Sequence, residues 1–332
     1  MKNECVFVTG GTGFIGCALV NELAKYNKVY VLARDPSKTK FLKRSIKNIE
    51  IIRGDLLDID FYKSKRFFNI PIDYVFHLAA LFRLDGSLRE LNLVNITGTR
   101  NLLEAISERK IKRFIYFSTT AISGKNEKNG LKEEETDINS YRNNYELSKA
   151  SAEKLVRCYG DLGLVPVSIL RPAVVYGPNS FYGMYNILKL INCRKLYFIP
   201  GDGLNRLHLV HVEDVVKASI YISEMAESNR NIYNICDNYA YTLRELIKIA
   251  CRLLGVDIPS HHIPKNIVRF LFRMPFIKLI TGDIPVPMLD YILYNNSYSN
   301  EKLKRAGYRF KYSRVDMGLP PTIKWYKDNH YL

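Results

Sequence analysis

Thr9-Gly-Gly-Thr-Gly-Phe-Ile-Gly16 joins an apolar run, Cys5–Thr9, to a stretch with helical spacing, Phe14–Tyr26. Gly10, Gly13 and Gly16 stand at the spacing Gly-x-x-Gly-x-x-Gly. A strand that turns sharply into a helix favours residues without Cβ atoms. The backbone N–H groups and the positive helix end then face an anion. Between strand and helix this pattern points to the pyrophosphate of a dinucleotide, with Gly10, Thr12, Gly13, Phe14, Ile15 and Gly16 as contacts. A plain glycine-rich turn is the competing reading, and the features further along the chain weigh against it.

Outward from the turn, β-rich runs alternate with helical stretches. Strands are expected at Cys5–Thr9, Val29–Ala33, Ile49–Ile52, Tyr74–Leu78, Phe114–Ser118 and Val165–Leu170. Helices are expected at Phe14–Tyr26, Leu57–Phe67, Leu88–Glu108 and Tyr145–Leu162. The strands are continuously apolar, as in a parallel sheet covered on both faces. The repeated βα rhythm predicts an α/β fold, a doubly wound parallel (Rossmann) sheet with a smaller C-terminal substrate lobe. Proline and glycine become frequent after Arg171-Pro172, which places a dinucleotide-binding domain at 1–172 and a mainly substrate-binding lobe at 173–332. Some segments of the second part can return to the sheet. Within it, strands are expected near Leu207–Val210 and Asn231–Asn234, and helices at Val212–Met225, Thr242–Leu254 and from Val315.

The 332 residues suffice for one large α/β unit or two modest domains. Hydrophobic residues at 47% and charged residues at 25% are an ordinary globular balance. The net charge of +16 comes from Lys and Arg scattered along the chain, without a basic block interleaved with aromatics, so nucleic acid is not an expected partner. No apolar run reaches the ~20 residues of a membrane span, and no signal-peptide pattern opens the chain, so a cytoplasmic protein is expected. The six cysteines, at 5, 17, 158, 193, 236 and 251, have neither Cys-x-x-Cys nor zinc-ligand spacing; free thiols and no metal site are expected.

The second strand runs into Arg34-Asp35. A carboxylate here suits ribose hydroxyls and an arginine suits a 2′-phosphate, so Arg34 favours NADP(H) while Asp35 keeps NAD(H) open. Asp55, beside Leu56, either accepts from the adenine amino group or caps the helix near Leu57. His77 ends the fourth strand as a packed or capped histidine, and the small residues after it in Leu78-Ala79-Ala80 admit a flat ligand.

Tyr145-Glu-Leu-Ser-Lys149 puts a phenol and an ammonium one helical turn apart. Hydride transfer at a carbon bearing oxygen requires a proton at that oxygen. A free tyrosine holds its proton to pH ~10, and a nearby ammonium lowers that value. Lys149 can also bind the nicotinamide ribose. Thr119, next to Ser118, supplies a hydroxyl for the substrate oxygen.

These residues together resemble the extended short-chain dehydrogenase/reductases, the NAD-dependent epimerase/dehydratase family. The likeness covers nearly the whole chain. Beside the motifs above it rests on Gly54-Asp55-Leu56, Asn95-Ile-Thr-Gly-Thr99, Phe117-Ser-Thr119, Arg171-Pro-Ala-Val-Val-Tyr-Gly-Pro178, His211-Val-Glu-Asp214 and the tail from Ser299. The resemblance implies that Thr119, Tyr145 and Lys149 are catalytic, and that Ser118, Pro172 and Val174 lie near the nicotinamide. It also implies a homodimer through helices at 88–108 and 145–162. Related 4,6-dehydratases carry Asp-Glu where this chain has Thr120-Ala121. Many nucleotide-sugar epimerases carry Asn where it has Val174, and Arg where it has Leu207, with Arg206 one position off. Arg34-Asp35-Pro36 and His77–Arg83 look similar to the dihydroflavonol reductase and 3β-hydroxysteroid dehydrogenase-like branch.

The leading expectation is therefore an NAD(P)-dependent oxidoreductase acting on a secondary alcohol or ketone of a small molecule. A nucleotide-sugar epimerase comes second and a dinucleotide-binding regulator without turnover third. Ile263–Ile280 mixes bulky apolar with basic residues. It is read as a helix packed on the substrate lobe, the alternative being a flap or a weak membrane-surface contact.

Overall fold

The computed structural model describes residues 1–37, 39, 42, 47–125, 128–136, 140–274 and 287–332. The chain forms two compact units. One contains Met1–Ile122, Asn144–Pro172 and Val215–Ile235; the other contains Ser123–Asn143, Ala173–Asp214 and Cys236–Leu332.

The first unit is built on a seven-stranded parallel sheet flanked by helices. Its strands are β1 (Cys5–Thr9), β2 (Lys28–Ala33), β3 (Ile49–Arg53), β4 (Tyr74–His77), β5 (Arg113–Phe117), β6 (Val167–Pro172) and a last strand at Asn231–Ile235. Their spatial order is Asn231–Ile235, β6, β5, β4, β1, β2, β3. Every residue of β4, β5 and β6 is buried, which is why those runs are apolar without alternation. β3 lies at the edge, and its exposed Glu50 and Arg53 blunt that edge against further pairing. From β1 the chain builds outward through β2 and β3, then crosses back to add β4 on the other side of β1. The two directions part between Thr9 and His77, which lie opposite each other in register. Such a switch point opens a crevice beyond the carboxyl ends of its strands. The core beneath joins Phe7, Val75, Phe114, Leu102 and Val156. Each large apolar side chain so buried contributes about 1.5–3 kcal/mol.

Three departures from the expected elements have local causes. The helix expected over Leu57–Phe67 is two short helices, Ile59–Lys63 and Lys65–Phe68. Asp58 caps the first through the Phe61 N–H; Ser64 then adopts an extended backbone and caps the second through the Phe67 N–H. The stretch Leu88–Glu108 is helical but carries a π-turn at Leu93–Thr97 between Leu88–Asn92 and Gly98–Ser107. Asn231–Ile235, expected in the smaller lobe, pairs with β6 as the outermost strand of the main sheet.

In the second unit, Val174–Tyr176 pairs with Leu209–His211, Arg206–Leu207 with Tyr241–Thr242, and Ile199–Pro200 with His262–Ile263. The helices Met184–Asn192, Leu243–Leu254 and Val315–Asp328 enclose Tyr176, Leu188, Leu246, Leu319 and Tyr326. The strand expected at Leu207–Val210 is thus two short pieces split at His208, whose Nδ1 accepts the Tyr298 N–H at 2.8 Å. In the described part of 263–280, the helix Lys265–Leu271 buries Val268 beside Leu289 and Leu293, as a packed helix should, yet exposes Ile267 and Phe270. Residues 275–280 of that segment lie outside the described residues. No described helix is long and apolar enough to cross a membrane. All six cysteines are free thiols.

Candidate active site

The glycine turn lies at the switch point. Gly10 has φ +71°, and a Cβ there would stand 2.6 Å from the Ala79 nitrogen, so the turn and the start of the Leu78-Ala79-Ala80 segment are packed backbone to backbone. A Cβ on Gly16 would stand 2.1 Å from the Gly10 carbonyl oxygen, so the helix Phe14–Leu23 rests directly on the turn. Gly13 differs. It is exposed at the helix N-terminus, and its Cβ would meet only the Gly10 oxygen at 3.3 Å. Gly10 and Gly16 serve the fold; Gly13 leaves a cradle that a Cβ would fill, and the pyrophosphate of a dinucleotide fits there. Thr12, Phe14 and Ile15 are half-buried around it. Gly13→Ala is therefore expected to keep stability within about 1 kcal/mol, the usual span for Gly-to-Ala changes without a clash. It is also expected to weaken dinucleotide binding at least tenfold. Calorimetric titration beside a melting curve checks both. Gly16→Ala is expected to fail on stability itself.

At the other end of the cradle, Arg34 is exposed just beyond β2. Asp35 turns its carboxylate onto Ser37, accepting from its N–H at 3.0 Å and its hydroxyl at 2.6 Å. Asp55 accepts the Leu57 N–H at 2.9 Å. The helix cap is Asp58, so the capping alternative for Asp55 is replaced by a local turn. Leu56 packs under Gly98, and its carbonyl accepts from Asn101 at 3.0 Å. His77 is buried between two hydroxyls, Nδ1 with Thr9 at 2.6 Å and Nε2 with Thr99 at 2.8 Å. Burial first, then Lys149, lowers it to about 3, so it is a neutral packed histidine, as expected.

Tyr145, Ser148 and Lys149 lie on the helix Asn144–Asp161. The Tyr145 ring meets Phe82 edge-on with centroids 4.9 Å apart. Burial, then Glu146, pushes its phenol well above the ordinary tyrosine range. The Lys149 ammonium donates to the Phe117 carbonyl at 2.7 Å and lies 4.3 Å from the centre of the Tyr116 ring. Burial brings Lys149 down to about 7, against an upward pull from Glu153. A lysine that is half neutral near pH 7 pulls only weakly on a neighbouring phenol. The expected lowering of Tyr145 by Lys149 is accordingly not what this arrangement produces. Ser118, the residue after Phe117, has a buried hydroxyl with no partner among the described residues, which suits a polar ligand at the end of β5. Thr119 is half-exposed, and its Oγ1 accepts the Ala121 N–H at 3.1 Å. Pro172 ends β6, and its carbonyl accepts the Thr120 hydroxyl at 3.3 Å. Val174 belongs to the second unit, paired with Leu209.

The low value of Lys149 has a stability consequence. Below pH 7 the folded chain buries a charged lysine that the unfolded chain solvates. Between 7 and the ordinary lysine value of 10.5 the unfolded chain holds the extra proton, so stability rises with pH. Lys149→Met removes this titration. It is expected to melt above the parent at pH 6, with the gap closing as pH rises past 7. Equal gaps at pH 6 and pH 9.5 would show that Lys149 is charged throughout.

Two contributors escaped the sequence reading as side chains with a task. Asn95, inside the π-turn, accepts the Leu81 N–H at 2.7 Å, donates to the Leu81 carbonyl at 3.2 Å and donates to Ser148 at 2.9 Å. Ser148 in turn donates to the Tyr145 carbonyl at 2.8 Å. Asn95 thereby ties the segment after β4 to the tyrosine helix. Glu153, one turn beyond Lys149, is paired with Arg171 in the core. The sequence signals for the first were an asparagine inside a helical run and its place in Asn95-Ile-Thr-Gly-Thr99; nothing local marked the second.

Against known proteins, the sequence model of the NAD dependent epimerase/dehydratase family matches residues 6–236. The dTDP-D-glucose 4,6-dehydratase of Homo sapiens is 29% identical, over 98% of this chain and 91% of its own length. Among solved structures, the UDP-N-acetylglucosamine 4-epimerase of Methanobrevibacter ruminantium M1 superposes with a TM-score of 0.80 at 28% identity, covering 99% of this chain and 100% of that one. The UDP-glucose 4-epimerase of Thermotoga maritima gives 0.78 at 26% identity, covering 98% and 99%. The first was solved with UDP-N-acetylmuramic acid and the second with UDP-glucose. With the glycine turn at the switch point and Tyr145 and Lys149 one turn apart on one helix, this chain belongs to the NAD dependent epimerase/dehydratase family and is an NAD(P)-dependent hydride-transfer enzyme of the extended short-chain dehydrogenase/reductase type.

Proposed function

We propose that the chain is an NAD(H)-dependent epimerase of a nucleotide-linked sugar. The observation that carries this reading is similarity across almost the whole chain to two epimerases solved with uridine-diphosphate ligands. It moves ahead of the net reductase that the sequence alone placed first. Dehydration is disfavoured because Thr120 and Ala121 occupy the positions of the dehydratase acids, and the Thr120 hydroxyl is spent on the Pro172 carbonyl. NAD(H) is preferred to NADP(H) because the matching family is named for NAD.

In this reading the glycine turn binds the pyrophosphate, Asp55 and Leu56 border the adenine, and Leu78–Ala80 and Pro172 flank the nicotinamide side, with Val174. When bound, the dinucleotide supplies a hydride acceptor that becomes the hydride donor. Thr119 donates a hydrogen bond to the substrate oxygen and orients it. Tyr145 takes the hydroxyl proton as the carbon is oxidised and returns it as the carbon is reduced. Lys149 binds the nicotinamide ribose, and its ammonium form stabilises the phenolate while that proton is away. A homodimer through the helical segments 88–107 and 144–161 is part of the proposal; size-exclusion chromatography tests it.

A second reading, net oxidation or reduction of a secondary alcohol or ketone, is favoured by one observation. Arg206 and Leu207 are neighbours on a short strand, so they face opposite ways. Leu207 is buried, and the Arg206 guanidinium donates to the Ala240 carbonyl at 3.1 Å. Arg206 therefore does not replace the arginine that epimerases carry at position 207. Incubation with NAD and a panel of uridine- and thymidine-diphosphate sugars separates the readings. Epimerisation without net NADH is expected. Net cofactor turnover with simple ketones, and none with nucleotide sugars, would overturn the proposal.

A further inference from the structure

Lys149 has to carry a charge in a place that disfavours charge. Its side chain is buried, and burial is what brings it down to about 7. The groups around it decide how far the ammonium survives. On its own helix Glu153 pulls it up, but both oxygens of that carboxylate are committed to Arg171 of β6. Glu146, one turn before Lys149, acts on Tyr145. From β4, His77 is neutral and held by Thr9 and Thr99. Burial first pushes the phenols of Tyr145 and Tyr116 well above the ordinary tyrosine range, so neither supplies a negative charge at rest. The Phe117 carbonyl accepts from Lys149 at 2.7 Å. That bond is stronger for the ammonium, yet a neutral amine donates to a carbonyl as well.

Among the described residues, one further contact answers to the charge itself. The ammonium lies over the Tyr116 ring, 4.3 Å from its centre. The negative face of an aromatic ring attracts a cation and offers little to a neutral amine. The ring is fixed where the lysine needs it. Tyr116 stands on β5 in register with His77 of β4 and Ile169 of β6. The His77 ring lies 5.7 Å from it, centre to centre. Ala152 and Val156, three and seven residues beyond Lys149 on the same helix, join Tyr116 in one core. The Tyr116 hydroxyl is buried and has no hydrogen-bond partner among the described residues, so what this side chain offers Lys149 is its ring.

We propose that Tyr116 is a positioning residue for the reaction: its ring face keeps Lys149 charged and in place, one helical turn from Tyr145, while the Tyr145 proton is away. Burial gives the lysine a dry setting in which its charge acts strongly on a phenolate, and the same burial works against that charge. A ring face offsets part of that cost without adding a carboxylate that would itself oppose the phenolate. The ring contact stands by itself; its use in the reaction rests on the Lys149 role proposed above.

The test replaces Tyr116 in the full chain by Phe, and then by phenylalanines carrying one, two and three ring fluorines introduced by nonsense suppression. Fluorine drains negative charge from the ring face while nearly keeping the ring's size, so the core stays filled. Each of these proteins is compared with its own Lys149→Met partner. The pH at which the gap in melting temperature begins to close reads the Lys149 midpoint without any substrate. Tyr116→Phe is expected to keep the parent's midpoint. Three fluorines should lower it by about one pH unit, the size of a desolvated cation–ring contact, in steps that follow the fluorine count. A midpoint indifferent to fluorine, or one that rises, would overturn the contact. The second readout is the pH profile of turnover with NAD and UDP-glucose, whose alkaline limb should move to lower pH with the midpoint. If the midpoint moves and the profile does not, the positioning role falls. If the midpoint moves but no nucleotide sugar is turned over, the ring contact stands and the epimerase reading falls. If UDP-glucose is turned over while fluorine leaves midpoint and profile alone, the epimerase reading stands and this assignment falls.

Discussion

Tyr145→Phe is expected to lower turnover by about two to four orders of magnitude, the usual contribution of a positioned proton donor and acceptor. The change removes one oxygen and keeps the ring that meets Phe82. Dinucleotide affinity and melting temperature should therefore hardly move. The readout is kcat alongside calorimetric NAD binding on the same preparation. Phenylalanine cannot accept a proton at any pH, so no rise in pH should restore the rate. Parent-like turnover would remove Tyr145 from the chemistry, and lost NAD affinity would mean that the variant had disturbed the cradle instead.

The second large effect is on stability. Arg171 donates from Nη2 to Glu153 Oε1 at 2.5 Å and from Nε to Oε2 at 3.0 Å, with both side chains about 95% removed from solvent. Removing one member of a buried pair strands the other charge and costs about 3–5 kcal/mol. Arg171→Met is expected to lose that much, read as a lower denaturant midpoint with little change in slope. Arg171→Met with Glu153→Leu should recover most of it, because no charge is then left without its partner. Glu153 also pulls the Lys149 value upward. Glu153→Gln should thus lower the Lys149 value further and move the pH profile of turnover to lower pH, a change that a purely structural role for Glu153 would not produce.

The parts of this molecule that were legible in the sequence are those specified by neighbours in the chain. The glycine turn needs only its own spacing and a strand before it. The buried strands announce themselves by unbroken apolar runs, and Tyr145 and Lys149 by one helical turn. What was missed depends on distant partners or on backbone detail. The Glu153–Arg171 pair exists because the helix Asn144–Asp161 packs near β6, and no local pattern encodes that. Asn231–Ile235 reads as any short strand; only its pairing with β6 shows which unit it belongs to. The break at Ser64 follows from one side chain choosing to cap rather than continue a helix.

The π-turn at Leu93–Thr97 carries a consequence for how this chain can change over time. An extra residue in one turn rotates everything beyond it by about 100° relative to an uninterrupted helix. Leu88–Asn92 and Gly98–Ser107 therefore answer to different neighbours, and Asn95 sits at the point where the phase shifts. Substitutions on either side can be absorbed one contact at a time. Loss of a single residue cannot, because it would restore the phase and turn one half away from all of its partners together. In this stretch inheritance is constrained in length as well as at Asn95, and homologous chains should keep the count of residues here even where other letters vary.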